Sequence, residues 1–114
     1  MKITIITVCY NRKATIEKAI QSVLSQNYPN IEYIIIDGNS KDGTQEIIES
    51  YKDRISKYIS EPDKGMYDAI NKGFQLATGD VIGLMHSDDE FYDRKAISRV
   101  AARFEYDSNI EGVY

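Results

Sequence analysis

Apolar positions along the chain switch between two periods. Ile3 to Val8 is a β-branched run that predicts a first strand. Ile16, Ala19, Ile20, Val23 and Leu24 then recur at the i, i+3, i+4, i+7, i+8 spacing of an amphipathic helix, which Tyr28-Pro29-Asn30 ends. Tyr33-Ile34-Ile35-Ile36 is apolar on both faces, as in a strand buried inside a parallel sheet. The turn cluster Asp37 to Gly43 leads into a short helix with Ile47, Ile48 and Tyr51 inward. Asp42 and Gln45 there have the spacing of a capping box. Ile55 to Ser60 predicts a weaker, alternating strand. Met66 to Ala77 predicts a third helix with Met66, Ile70, Phe74 and Ala77 on one stripe, and Gly79 is placed as its C-terminal glycine. Val81 to Met85 predicts a fourth strand. Ile97, Val100, Ala101 and Phe104 mark a fourth helix, and residues 110–114 begin another strand.

Strands separated by helices predict an α/β fold with a mostly parallel sheet and helices on its faces. Ligands of such folds bind beyond the carboxyl ends of the strands. Three polar clusters fall at those ends: Tyr10-Asn11-Arg12, Asp37 to Asp42, and His86 to Glu90. The chain shows no internal repeat, low-complexity tract or linker, so residues 1–114 read as one domain. It stops at an apolar strand, which is expected of a truncated domain rather than a finished one.

Composition narrows the function classes. The 114 residues are 42% hydrophobic and 28% charged, ordinary for a soluble globular domain. A net charge of -4 argues against nucleic acid or an anionic membrane as the main partner. Lone Cys9 excludes an internal disulfide, and lone His86 excludes a multi-histidine metal site. No apolar run reaches transmembrane length, and Met1 to Val8 is too short for a signal-peptide core. The expected location is cytoplasmic. Arg94, Lys95, Arg99 and Arg103 form a basic stripe that reads as a solvated face, with peripheral contact to the inner face of a membrane as the lesser alternative.

The candidate chemistry is carried by carboxylates. Asp88 and Asp89 follow the apolar run Val81 to Met85, where adjacent anions repel unless partnered. Mg²⁺ or Mn²⁺ shared with a diphosphate is the natural partner. The alternative is a solvated acidic turn capping the next helix. Tyr10 can lie against a nucleobase while backbone groups of Val8 meet its edge, although most of the nine tyrosines will be packing residues. Asp37 can accept from a base or ribose, or cap its own turn. Asp68, Asn71 and Lys72 share a helix face. Lys64 and Lys72 can meet phosphate, or Lys72 can simply pair with Asp68 at i,i+4. There is no Gly-x-Gly-x-x-Gly, phosphate loop or Gly-x-Ser-x-Gly elbow.

In this order, the motifs resemble the N-terminal, donor-binding half of a family 2 glycosyltransferase with the GT-A fold, a Rossmann-like three-layer α/β/α arrangement. The resemblance runs through Ile3 to Arg12, Ala19 to Gln26, Ile34 to Thr44, Gly65 to Gly73, Ala77 to Ile82 and Ser87-Asp88-Asp89. It implies a metal-dependent, inverting transfer of sugar from a nucleotide-sugar donor, commonly a UDP-sugar, to a glycan or lipid-linked acceptor in polysaccharide or cell-envelope synthesis. Ser87-Asp88-Asp89 matches the family's variant of the DxD motif. Asp89 is then the metal ligand, and Asp88 holds the ribose or shares the metal. Tyr10 and Val8 serve the base, Asp37 contacts the nucleoside, and Lys64 and Asp68 lie on the donor side. Gly38 departs from the second aspartate of many relatives, and His86 from a common asparagine. The general base belongs to an acceptor-binding half beyond residue 114. Two other classes fit the length: a receiver-like signalling domain, which lacks its acid pair after the first strand, and a non-catalytic nucleotide-binding module.

Overall fold

The computed structural model describes residues 2–62 and 65–86, apart from the side chains of Met66 and His86. The helix read around Ile97 to Phe104 and the strand at 110–114 lie outside those residues. Elements alternate as read: β1 (Ile3–Cys9), α1 (Lys13–Leu24), β2 (Ile31–Asp37), α2 (Thr44–Glu49), a 3₁₀ turn (Lys52–Arg54), β3 (Lys57–Ser60), α3 (Met66–Leu76) and β4 (Val81–His86). The strands form one sheet in the order β3-β2-β1-β4, and every described pair is parallel.

Parallel pairing buries β1 and β2 on both faces, which explains their near-continuous isoleucine. Ile3, Ile5, Tyr33 and Ile35 pack with Ile16, Ala19, Ile20 and Val23 of α1 and with Ile48 of α2. Ile6, Val8, Ile34 and Ile36 point the other way and pack with Ala69 of α3. The result is three layers, with α1 and α2 on one face and α3 on the other. The strand order reverses at β1, so the crevice at its carboxyl end is where such folds place ligands.

Three local expectations change. The buried stripe of α3 runs through Ala69 and Gly73, with Ile70 and Ala77 of the expected stripe packed beside it and Phe74 only half-buried; Met66's side chain lies outside the described residues. A Cβ on Gly73 would stand 2.6 Å from Ile6 Cγ2, so small residues let the helix approach the sheet. Gly79 is not a left-handed helix cap, because Ala77 already turns to an extended conformation. Gly79 is needed for close approach: a Cβ would meet Thr4 Oγ1 at 2.4 Å and Thr4 N at 2.8 Å. β3 begins at Lys57, because the 3₁₀ turn draws Ile55 N–H to the Lys52 carbonyl.

At the amino end of the sheet, Glu32 is only 6% exposed. It accepts from Thr4 Oγ1 at 2.9 Å, from Thr78 N at 2.8 Å and from Thr78 Oγ1 at 2.8 Å, and it pairs with Lys57 at 3.2 Å. One carboxylate thereby joins β1, β2, β3 and the α3–β4 connection.

Candidate functional site

The carboxyl ends of β1 and β2 finish level. Cys9 is in register with Asp37, and Gly38 N–H donates to the Cys9 carbonyl at 2.9 Å. Val8 is in register with Ile36 on one side and His86 on the other, so β4 ends one rung away. Asp88 and Asp89 follow His86 in sequence and, like Lys64, lie outside the described residues. Tyr10, just past β1, is 57% exposed at this end.

Asp37 is 0% exposed, and both its oxygens are engaged. Oδ2 accepts from Ser40 N at 2.9 Å and from Ser60 Oγ at 2.8 Å. Oδ1 accepts from the Ser40 hydroxyl and from Cys9 Sγ at 3.4 Å. Its carbonyl accepts from Glu61 N at 3.0 Å. Of the two roles open to Asp37, these bonds give it the turn cap, extended into a hub for the loops after β1, β2 and β3. In this arrangement these hydrogen bonds of the carboxylate are all made inside the protein.

The loop after β1 is locked to the loop after β2. Asn11 takes a left-handed φ of 53°, which asparagine tolerates. Its N–H donates to Ser40 Oγ at 2.8 Å, and its side-chain oxygen accepts from Lys41 N at 2.8 Å. Ser40 passes the chain on to Asp37. A second relay runs beside it: Arg12 N–H donates to Thr44 Oγ1 at 2.9 Å, and that hydroxyl donates to Asp42. Asp42 Oδ2 also accepts from Lys13 N at 3.1 Å. The Thr44 hydroxyl bond first, with the Lys13 and Thr44 N–H groups, holds the Asp42 carboxyl below its ordinary pKa.

Asp42 therefore does not act in a capping box with Gln45. Gln45 Nε2 donates instead to the Ser40 carbonyl at 2.9 Å. Asp42 caps two helices at once, its own α2 through Thr44 N at 3.1 Å and α1 through Lys13 N. An open hollow of about 780 Å³ lies here, lined by Asn11 to Thr15 and Asp42. The carboxylate already supplies the anion that the α1 N-terminus attracts.

On the other face, α3 starts at Gly65, whose φ of 114° and ψ of -177° suit glycine alone. Asp68 stands in the first turn, at the same end of the sheet. Lys72 does not reach out as a free cation. Its Nζ lies 3.1 Å from Glu61 Oε1, 3.5 Å from Asp68 Oδ2 and 3.3 Å from the Pro62 carbonyl. Glu61 first, then Asp68, raise its pKa above the ordinary lysine value.

The structure thus brings Val8, Tyr10 and Asp37 together and sets Asp68 at the same end from the opposite layer. Sequence reasoning missed Ser40, Thr44 and Ser60 as the hydroxyls that wire the loops. Ser40 and Thr44 carried a signal, lying three residues after Asp37 and two after Asp42. Ser60 carried none, since only the β2–β3 register puts it opposite Asp37. Among the described residues no group of three acidic, histidine or cysteine side chains forms a metal cage.

Residues 4–111 match the family model described as glycosyl transferase family 2. The chain belongs to that family. It is 36% identical over 92 residues to a putative teichuronic acid biosynthesis glycosyltransferase of Bacillus subtilis, covering 78% of this chain and 36% of that one. It superposes on Staphylococcus aureus TarS 1-349 in complex with UDP-GlcNAc with a TM-score of 0.85, at 23% identity, covering 93% of this chain and 32% of that one. It superposes on a mannosyltransferase of Pyrobaculum calidifontis in complex with GDP-Man and Mn²⁺ with a TM-score of 0.83, at 22% identity, covering 90% and 32%. The likeness to both structures shows the GT-A fold. This family 2 chain spans about a third of the length of the curated relatives it matches. No described helix is long and apolar enough to cross a membrane.

Proposed function

We propose that the chain forms the nucleotide-sugar-binding part of an inverting glycosyltransferase, acting on a glycan or lipid-linked acceptor in the synthesis of polysaccharide or cell-envelope glycan at the cytoplasmic side. The observation that carries this is the convergence of Tyr10, the Asp37 hub and the end of β4 at the point where strand order reverses, in a chain matched by the family over residues 4–111. The similar structures bound to UDP-GlcNAc and to GDP-Man with Mn²⁺ support a nucleotide-sugar donor and a divalent metal.

In this reading Tyr10 stacks on the base and Val8 offers backbone groups to its edge. Asp37 acts through Ser40 and Ser60, setting the shape of the loops that receive the nucleoside. Asp68 and Lys64 face the donor. Asp89, with Asp88, holds Mn²⁺ or Mg²⁺, since an all-carboxylate oxygen set suits hard cations. When bound, the metal neutralises charge on the departing diphosphate. No residue of 1–114 is assigned as the base that activates the acceptor.

Calorimetric titration with UDP and GDP, with and without Mn²⁺, tests this. Metal-dependent binding that Asp89→Ala abolishes is expected. Binding indifferent to metal, or none to either nucleotide, would overturn the reading. Phosphorylation of an aspartate by an acyl phosphate would favour the receiver-like alternative.

A further inference from the structure

Lys72 is a part-buried cation beside Asp68 with no direct donor contact proposed above. It sits two turns into α3 with its side chain 20% exposed, and its ammonium is drawn back along the helix. Three oxygens meet it: Glu61 Oε1, Asp68 Oδ2 and the Pro62 carbonyl. Glu61 and Pro62 belong to the segment leaving β3, and Asp68 to the first turn of α3. The segment is anchored from behind as well, because Glu61 N–H donates to the Asp37 carbonyl. At its far side Gly65 holds a backbone conformation that leaves open space where a Cβ would be.

We propose that Lys72 is a positioning residue for the donor site, holding Asp68 and residues 61–62 in one arrangement without itself touching ligand. This rests on the donor-site reading above. The geometry favours an indirect role. An ammonium carries three donors, and the three oxygens around Nζ account for them. Turning Lys72 toward a diphosphate would break its contacts with Glu61, Asp68 and the Pro62 carbonyl and withdraw positive charge from two carboxylates. Retained where it is, it neutralises part of their charge and fixes which way Asp68 points. A single flexible lysine thereby tunes a carboxylate that the ligand would meet.

Calorimetry on the protein with UDP-GlcNAc and GDP-mannose in the presence of Mn²⁺ tests this with Lys72→Met, Lys72→Arg, Glu61→Gln, Asp68→Ala and the Lys72→Met/Asp68→Ala pair. Lys72→Met is expected to weaken binding about tenfold, and Lys72→Arg to restore it to within about threefold. Glu61→Gln, which loosens the clamp from the other side, is expected to weaken binding less than Lys72→Met. The double variant is expected to bind no more weakly than Asp68→Ala alone, because residues acting as a unit are not additive. Additive losses would overturn the proposal and make Lys72 an independent ligand contact. Unchanged affinity in Lys72→Met would overturn it while leaving the donor site standing. If the unsubstituted protein binds neither donor, the donor-site reading falls and the proposal falls with it.

Discussion

Replacing Glu32 with glutamine should change both the stability of the fold and its dependence on pH. Burial pushes the Glu32 carboxyl upward, but the Thr78 N–H, the Thr78 and Thr4 hydroxyls and Lys57 together outweigh it, taking the pKa from 4.5 to about 2. A depressed folded-state pKa adds stability above the unfolded value, and that stability is lost as pH falls from 4.5 toward 2. At about 1.4 kcal/mol per pKa unit, the gap corresponds to roughly 3 kcal/mol at neutral pH, of which about 2 kcal/mol is gone by pH ~3. Glutamine keeps the shape but loses the charge and turns an N–H₂ toward groups that are themselves donors. Urea unfolding of both proteins should show Glu32→Gln destabilised by roughly 2–3 kcal/mol near pH ~7, with the difference shrinking to about 1 kcal/mol near pH ~3. Other carboxylates titrate in the same window, so the difference between the two proteins isolates this group. A gap below about 0.5 kcal/mol at neutral pH, or parallel profiles, would refute the reasoning.

Asp37→Ala should cost about 2–4 kcal/mol, since it strands the buried Ser40 N–H and hydroxyl and removes the acceptor that ties Ser60 to the β2 end; hydrogen exchange should accelerate at Ser40 and the amides around it. Gly79→Ala should lower stability by about 1–3 kcal/mol or more, because its Cβ would meet Thr4 Oγ1 at 2.4 Å; thermal melting checks it. Thr15→Val should be neutral to stabilising by about 1 kcal/mol, because Thr15 Oγ1 is buried without a partner among the described residues; a stability loss beyond about 1 kcal/mol would reveal one.

The layers of this fold were legible because a buried parallel sheet writes itself as isoleucine runs between helical stripes. Ile34 to Ile36 and Ile16 to Val23 leave no other period to adopt. What the sequence hid is what depends on close approach between elements. Gly79 looked like a helix terminator and is a point of contact with Thr4. Gly73, which no periodicity marks, lets α3 settle on Ile6. The site was legible at the level of strand ends, since Tyr10 and Asp37 do finish side by side. It was not legible in how its polar groups divide their hydrogen bonds. Asp37 and Lys72 each had two plausible directions, outward to a ligand or inward to the protein. Local sequence is equally compatible with both, and the choice is made by Ser60 and Glu61, which only tertiary register brings near.

Nucleotide and metal are proposed to meet at the carboxyl ends of β1, β2 and β4. Paramagnetic broadening of amide resonances by Mn²⁺ in the presence of UDP or GDP locates that meeting directly. The predicted result is nucleotide-dependent broadening at Tyr10, Asn11, Gly38, Asn39 and His86 to Asp89, with Lys2, Glu32 and Thr78 spared at the opposite end of the sheet. Broadening centred on Lys2, Glu32 and Thr78, or broadening that neither nucleotide alters, would contradict it.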